Sequence, residues 1–278
     1  MTGVLAVYLG TPTLLEFGGP DAVRFLNGQV TQDVRRLADG KISLPSCVTD
    51  AKGKLQFRVT MTESDDGELW IAGLAEWAEE LEARLTRYLI ADDVETSDLT
   101  GSYTLIHFLG AAPAAPKGVA VRAANRYGIA GTDWWLPVDQ EIPNTVSWIK
   151  ADELEALRIA HGVPAWGREL VVGMLPPEAL VEETDISYNK GCYIGQEVIS
   201  RMKSAGKVNR RLTRLVADAG VAWVVGPLEK GAGEITSISP VANGSVHYAL
   251  GYVKRGATQL VGRAADGSFF PVWPFDDR

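Results

Sequence analysis

The 278-residue chain reads as an α+β protein that ends in a small antiparallel β barrel. Three observations give that class. Residues 3–100 alternate short β-rich runs with helical ones. Residues 74–90 carry a single apolar stripe at helical spacing. Beyond about residue 212, β patterns are broken by Gly, Asn and Pro, with no helical segment. The length exceeds the size at which one core stops growing, and 46% hydrophobic residues can fill more than one. The expected division is a front region, 1–212, and a β-barrel module, 213–278. The Pro/Ala connector "APAAPKG", 112–118, marks a candidate boundary near 100–118 between two α/β subdomains of the front region.

The elements follow in order. In "GGPDAVRFLNGQVTQDV", Asp21 caps a short helix that Gly28 breaks. "KISLPSCVTD" and "KLQFRVTMTE" are strands joined through the Asp/Gly turn "DAKG", and "ELWIAGL" is a third strand. In the helix 74–90, Leu74, Trp77, Ala78, Leu81, Leu85, Tyr88 and Leu89 form the stripe. Its acids, Glu76, Glu79, Glu80 and Glu82, precede Arg84 and Arg87, as the helix dipole favours. Strand-like pieces follow at 119–122 and 133–138. In "ADELEALRIAHG", Asp152 with Glu155 makes a capping box, Leu154, Leu157 and His161 share a face, and Gly162 with Pro164 ends the helix. His161 on that stripe is expected to be a packed histidine.

The balance of 27 basic against 35 acidic residues gives a net charge of −8. That argues against general binding to nucleic acid or membrane surfaces, which works through a basic footprint. With no export signal, no apolar run of membrane length and only Cys47 and Cys192, a soluble cytoplasmic protein with reduced thiols is expected. His107, His161 and His247 lack partners at metal-ligand spacing, so no metal site is expected. No phosphate-binding loop, dinucleotide fingerprint or nucleophile elbow is present.

One stretch carries chemistry. "NKGCYIGQEVISR" places Cys192 just before a helix that starts near Gly195, with Val198, Ile199 and Met202 as its buried side. A thiol at the positive end of a helix, beside Lys190, is where a thiolate becomes accessible. A small cysteine packed under the loop is the alternative, and spacing alone does not choose between them. Residues 190–214 also hold seven cations (Lys190, Arg201, Lys203, Lys207, Arg210, Arg211, Arg214) against one acid, Glu197. Such a run is either a solvated face or a site for an anion.

The segment Lys190 to Glu197 matches K-G-C-Y-x-G-Q-E without exception, and resembles the signature of the YgfZ-type folate-binding proteins, relatives of the glycine-cleavage T-protein (aminomethyltransferase). "FLNGQVTQDV", "DAKGK", "RIAHGVPAWGREL", "LPPEAL", "GKVNRRL" and "GEITS…LGYV" resemble further family blocks in family order. The likeness covers nearly the whole chain and is weakest at 101–150. It implies a T-protein-like folate-binding region followed by a C-terminal β barrel, with tetrahydrofolate or a one-carbon derivative as ligand. It also implies transient partnership with iron–sulfur enzymes or their assembly factors, sometimes extended to tRNA modification.

On that resemblance Glu169, in a G-x-E position, is the first candidate for the pterin, with Arg158 and Tyr188 behind it. A carboxylate can accept two hydrogen bonds from the pterin's amidine-like edge. Trp166 and Tyr193 are candidates for the ring walls, and Glu197, Arg201 and Arg210 join the binding set, the arginines facing the glutamate tail. Cys192 is the candidate functional thiol, with Lys190 beside it. One departure stands out: where T-proteins carry an Asp-Asp pair, this chain has Gln56 and Phe57, neither of which titrates. The expected function is an accessory role for iron–sulfur enzymes. The alternatives are a folate-dependent one-carbon transferase or demethylase, and a non-catalytic adaptor.

Overall fold

The computed structural model describes residues 4–38, 40–206 and 208–275. The chain divides into two compact units, one formed by Met1–Ile149 with Glu182–Ser200, the other by Lys150–Val181 with Arg201–Arg278. Residue 212, expected as a boundary, lies inside a continuous strand.

The first unit is built from β1 (Leu5–Gly10), β2 (Thr13–Gly18), α1 (Ala22–Gln29), β3 (Leu44–Thr49), β4 (Leu55–Glu63), β5 (Leu69–Gly73), α2 (Ala78–Thr86), β6 (Glu95–Asp98), β7 (Tyr103–Phe108), β8 (Ala120–Ala124), β9 (Gly131–Pro137) and β10 (Ser147–Trp148). They form two five-stranded sheets, ordered β10-β1-β7-β9-β8 and β3-β4-β5-β2-β6. Consecutive residues of a strand face opposite ways. Trp134 and Trp135 on β9 are both buried, so both faces of their sheet are covered. Trp134 packs on Phe108, while Trp135 meets Trp70 of the other sheet edge-on, with ring centroids 5.6 Å apart. The second sheet turns its other face to α1 and α2, where Phe25, Leu26, Leu81 and Leu85 close the core.

The helix read from 74–90 is α2 with a single 3-10 turn, Ala75–Trp77, before it. Only Leu81 and Leu85 of α2 are fully buried, because the helix lies on the sheet along a narrow line. Gly28 does not break α1, which runs on to Gln29. Among the described residues, no helix is long and apolar enough to cross a membrane.

The second unit holds α3 (Ala151–Ala160), then β11 (Arg210–Asp218), β12 (Gly226–Pro227), β13 (Gly233–Ile238), β14 (Val246–Lys254), β15 (Leu260–Arg263) and β16 (Phe269–Pro274). The six strands, ordered β12-β13-β14-β11-β16-β15, nearly close into an antiparallel barrel around Leu215, Trp223, Ile235, Ala249 and Phe270. The expected capping box is not formed. Lys150 stands at the N-cap of α3, without a side-chain cap, and Glu155 turns to Arg158 and Arg168 instead. His161, expected to be packed, is the exposed C-cap residue of α3, because Gly162 ends the helix there.

Candidate functional site

The segment 182–200, flanked on both sides by chain of the second unit, is stitched into the first. Its tethers are polar and long-range. Thr31 donates through its hydroxyl to the Asp185 carbonyl (2.6 Å), and Gln32 through its side-chain amide to the Thr184 carbonyl (2.7 Å). The Ser187 amide donates to the Thr31 carbonyl, and the Ile194 amide to that of Gly28. Thr49 closes the far end by donating to the Ile194 carbonyl at 2.6 Å. Arg58 holds Asp185 through two bonds, Nε to Oδ2 at 2.6 Å and Nη2 to Oδ1 at 3.1 Å. Such a two-point pair fixes orientation as well as distance.

Lys190 points inward. It is 8% exposed, and its Nζ donates to the carbonyls of Val30 (2.8 Å) and Gln32 (2.7 Å), over the ring of Tyr193. Burial pulls its pKa down to about 7, with Asp33 opposing and Arg35 assisting the fall. Tyr193 is buried beside Ile186 and Ile199, and its hydroxyl has no hydrogen-bond partner among the described residues. Cys192, between them in sequence, is exposed. The other thiol, Cys47, lies fully buried on β3, where burial and the neighbouring Asp185 push its pKa well up. The two cysteines are therefore distinguished by position: one is presented to solvent, the other is sealed in the first unit.

Gly195 makes the end of this loop possible. Its φ is +91°, and a Cβ there would come within 2.6 Å of the Asp50 carbonyl and 2.7 Å of Thr49 Oγ1. The Asp/Gly turn between β3 and β4 thus packs directly beneath the glycine, and only a residue without a side chain fits. α4 (Gln196–Ala205) follows. Of its expected buried side, Ile199 is fully buried and Val198 and Met202 are half-buried.

In the second unit Arg158 and Glu169, both buried, form an ion pair at 3.0 Å. Glu169 Oε2 accepts from Arg158 and from the Ala165 amide; Oε1 accepts from the hydroxyls of Thr236 and Ser237. A carboxylate has about four lone-pair sites, and all of these are filled from within the unit. Arg158 is equally occupied, by Glu155, the Val163 carbonyl and Ser237. This geometry makes the pair an internal strut binding α3 to the barrel, and leaves neither residue a vacant position for a pterin edge. The G-x-E spacing could not reveal this, because Thr236 and Ser237 come from β13, more than sixty residues away.

The remaining candidates lie in both units. Tyr188 and Trp166 are half-buried, and Tyr188 has its pKa raised to about 12 by burial, with Glu182 nearby. Glu197 and Arg201 are exposed on α4. Gln56 accepts from Arg84 at 2.6 Å, and Phe57 packs edge-on against Trp77, so these positions serve the fold of the first unit. The members of the basic run have different surroundings. Lys190 is interior, Lys207 lies outside the described residues, and Arg214 donates to the Ala160 carbonyl. Arg210 stacks on Tyr252 and bonds to Glu178 and Glu234. Arg210, Arg211 and Arg255 line a cavity of about 180 Å³ in the second unit. Among the described residues, no cluster of His, Cys, Asp and Glu could hold a metal ion. Arg58, Asp185, Thr31 and Thr49, which sequence reasoning missed, carry no local signal because their partners lie on distant parts of the chain.

The fold is that of a T-protein. Aminomethyltransferase T of the glycine cleavage system from Bartonella henselae superposes with a TM-score of 0.75, over 99% of this chain and 86% of that one, at 17% identity. In sequence the chain is YgfZ-like. It is 27% identical over 229 residues to the tRNA-modifying protein YgfZ of Klebsiella pneumoniae, covering 74% of this chain and 69% of the relative. With the YgfZ of Escherichia coli O157:H7 it shares 26% identity over 230 residues, covering 72% and 68%. A chloroplastic protein of Arabidopsis thaliana, named as a transferase, is 38% identical over 108 residues, which is only 25% of that protein's length. No protein-family model matches the chain.

Proposed function

We propose that this chain is a cytoplasmic, tetrahydrofolate-binding accessory protein for the assembly or maintenance of iron–sulfur enzymes, with Cys192 as its functional thiol. The observation that carries this reading is the division of labour within the K-G-C-Y-x-G-Q-E segment: Lys190, Tyr193 and Gly195 are spent on holding the loop, while Cys192 is exposed. The T-protein fold and the YgfZ-like sequence support a folate ligand. The buried pair of Arg158 and Glu169 does not fit that ligand, so the reading assigns it no pterin contact. The other candidates, Tyr188, Trp166, Glu197, Arg201 and Arg210, stay in the reading on the sequence resemblance alone.

A single exposed thiol cannot by itself retain an iron–sulfur cluster, which is usually held by about four thiolates. Contact with client proteins is therefore transient in this reading. Calorimetric titration with tetrahydrofolate tests the ligand, and absence of binding at roughly millimolar concentration sinks that half of the proposal. Replacement Cys192→Ala, assayed through an iron–sulfur enzyme in cells that depend on this gene, tests the other half: unchanged activity removes the thiol's role. The T-protein fold favours one further reading, a folate-dependent one-carbon transferase, and turnover of a methylamine donor by the purified protein would establish it.

A further inference from the structure

We propose that Lys190 is a positioning residue for Cys192: by donating to the carbonyls of Val30 and Gln32, its side-chain nitrogen sets where the loop presents the thiol.

The alternative role, an ammonium that activates the neighbouring thiol, conflicts with where the nitrogen is. Lys190 Nζ is committed to two main-chain acceptors that lie 160 and 158 residues away in sequence, and its side chain is buried. Cys192, two residues on, is exposed. The two carbonyls belong to the segment just after α1, which also receives Ser187 and holds Thr184 and Asp185 through Thr31 and Gln32. The loop is therefore pinned before the thiol by Lys190 and after it by Ile194, whose amide and carbonyl bond to Gly28 and Thr49. Between those pins the chain spans only Gly191 to Tyr193, too short to move the thiol independently.

The chemistry of the anchor matches its surroundings. A neutral amine has two N–H donors, and the structure offers two acceptors. Loss of a proton therefore leaves both tethers in place, and the anchor survives titration. Deprotonation would give up the cation–π attraction to the ring of Tyr193, 5.3 Å from the nitrogen, while Asp33 and Arg35 act on Lys190 through charge alone, so both hydrogen bonds persist.

Cys47 supplies an internal control, since it is sealed in the same unit. Lys190→Met keeps much of the side chain's bulk and removes both donors. Thiol labelling of the full chain, followed at each cysteine by mass spectrometry from pH 6 to 9, gives a rate plateau for Cys192 that separates geometry from ionisation. Amide exchange across 190–195 is read in parallel. The expected result is a plateau shifted by about fivefold or more and faster exchange in the loop, with Cys47 still protected. A plateau and loop exchange within about twofold of the unsubstituted chain overturn the proposal. So does labelling of Cys47 as fast as Cys192, which would make Lys190 a general support of the fold. Should Lys190→Met fail to fold, Lys190→Arg, which keeps N–H donors at that depth, is expected to leave the plateau and the loop exchange within about twofold of the unsubstituted chain, and a shift of about fivefold or more despite the retained donors overturns the proposal. The proposal takes Cys192 as the acting thiol, but its test reads geometry without activity, so its failure is distinguishable from failure of the functional reading.

Discussion

Arg58 on β4 and Asp185 in the returning segment, 127 residues apart, meet in a two-point ion pair with the carboxylate wholly buried. Removing one partner leaves a charge without compensation. Arg58→Ala is expected to destabilise the protein by ~3–5 kcal/mol, the usual result of breaking a buried pair. Chemical denaturation followed by tryptophan fluorescence measures it. Loss below about 1 kcal/mol would mean that Asp185 finds other donors.

The tether at Lys190 has a pH signature. Its folded-state pKa of about 7 lies below the ordinary 10.5, so between those values the unfolded chain binds more protons than the folded one. Stability contributed at this site should therefore rise as pH climbs through that window, by at most ~1.4 kcal/mol per pH unit. Below about pH 7 the cost of burying the ammonium is fully present. The difference between the unsubstituted chain and Lys190→Met, measured at several pH values, isolates this contribution from other titrations. A flat difference across the window contradicts the assignment.

Gly195→Ala should be costly although it adds one methyl group. The new Cβ meets three atoms of the first unit below 3 Å and imposes φ +91° on an alanine. Strain of that kind costs ~1–3 kcal/mol, with the clash adding to it. Faster amide exchange at Ile194 and Gln196 in the variant would locate the damage in the loop.

Glu169→Gln distinguishes a strut from a ligand contact. The amide keeps one acceptor oxygen and turns two donors toward Arg158 and the Ala165 amide, which are themselves donors. A fall in the thermal midpoint by several degrees is expected, from a loss of a few kcal/mol. Under the strut reading, protein that remains folded should bind tetrahydrofolate with unchanged affinity. A selective loss of binding without loss of stability would return Glu169 to the ligand.

Thiol chemistry should be strongly asymmetric. Cys192 is exposed and Cys47 is buried with its pKa pushed up, so one equivalent of a thiol reagent should react rapidly and the second only on unfolding. Two equally fast thiols in the native protein would contradict the placement of β3.

The sequence by itself determined the fold class, the helices α2 and α3 to within a few residues, the β-rich character of the chain beyond residue 212, and the glycine-flanked loop that carries Cys192. Those features rest on local periodicity, on glycine placement and on the unbroken K-G-C-Y-x-G-Q-E block, all of which are written along the chain. Only the tertiary structure decided that Lys190 points inward, that Arg210 and Arg214 are engaged within their own unit, and that Arg158 and Glu169 neutralise each other. The partners of Lys190 lie 160 and 158 positions away, and those of Glu169 include Thr236 and Ser237, 67 and 68 positions away. A side chain's function follows from which of its hydrogen-bonding and charge capacities are left over after folding. For Glu169 nothing is left over, and for Cys192 the fold commits the residues around the thiol while keeping the thiol itself at the surface.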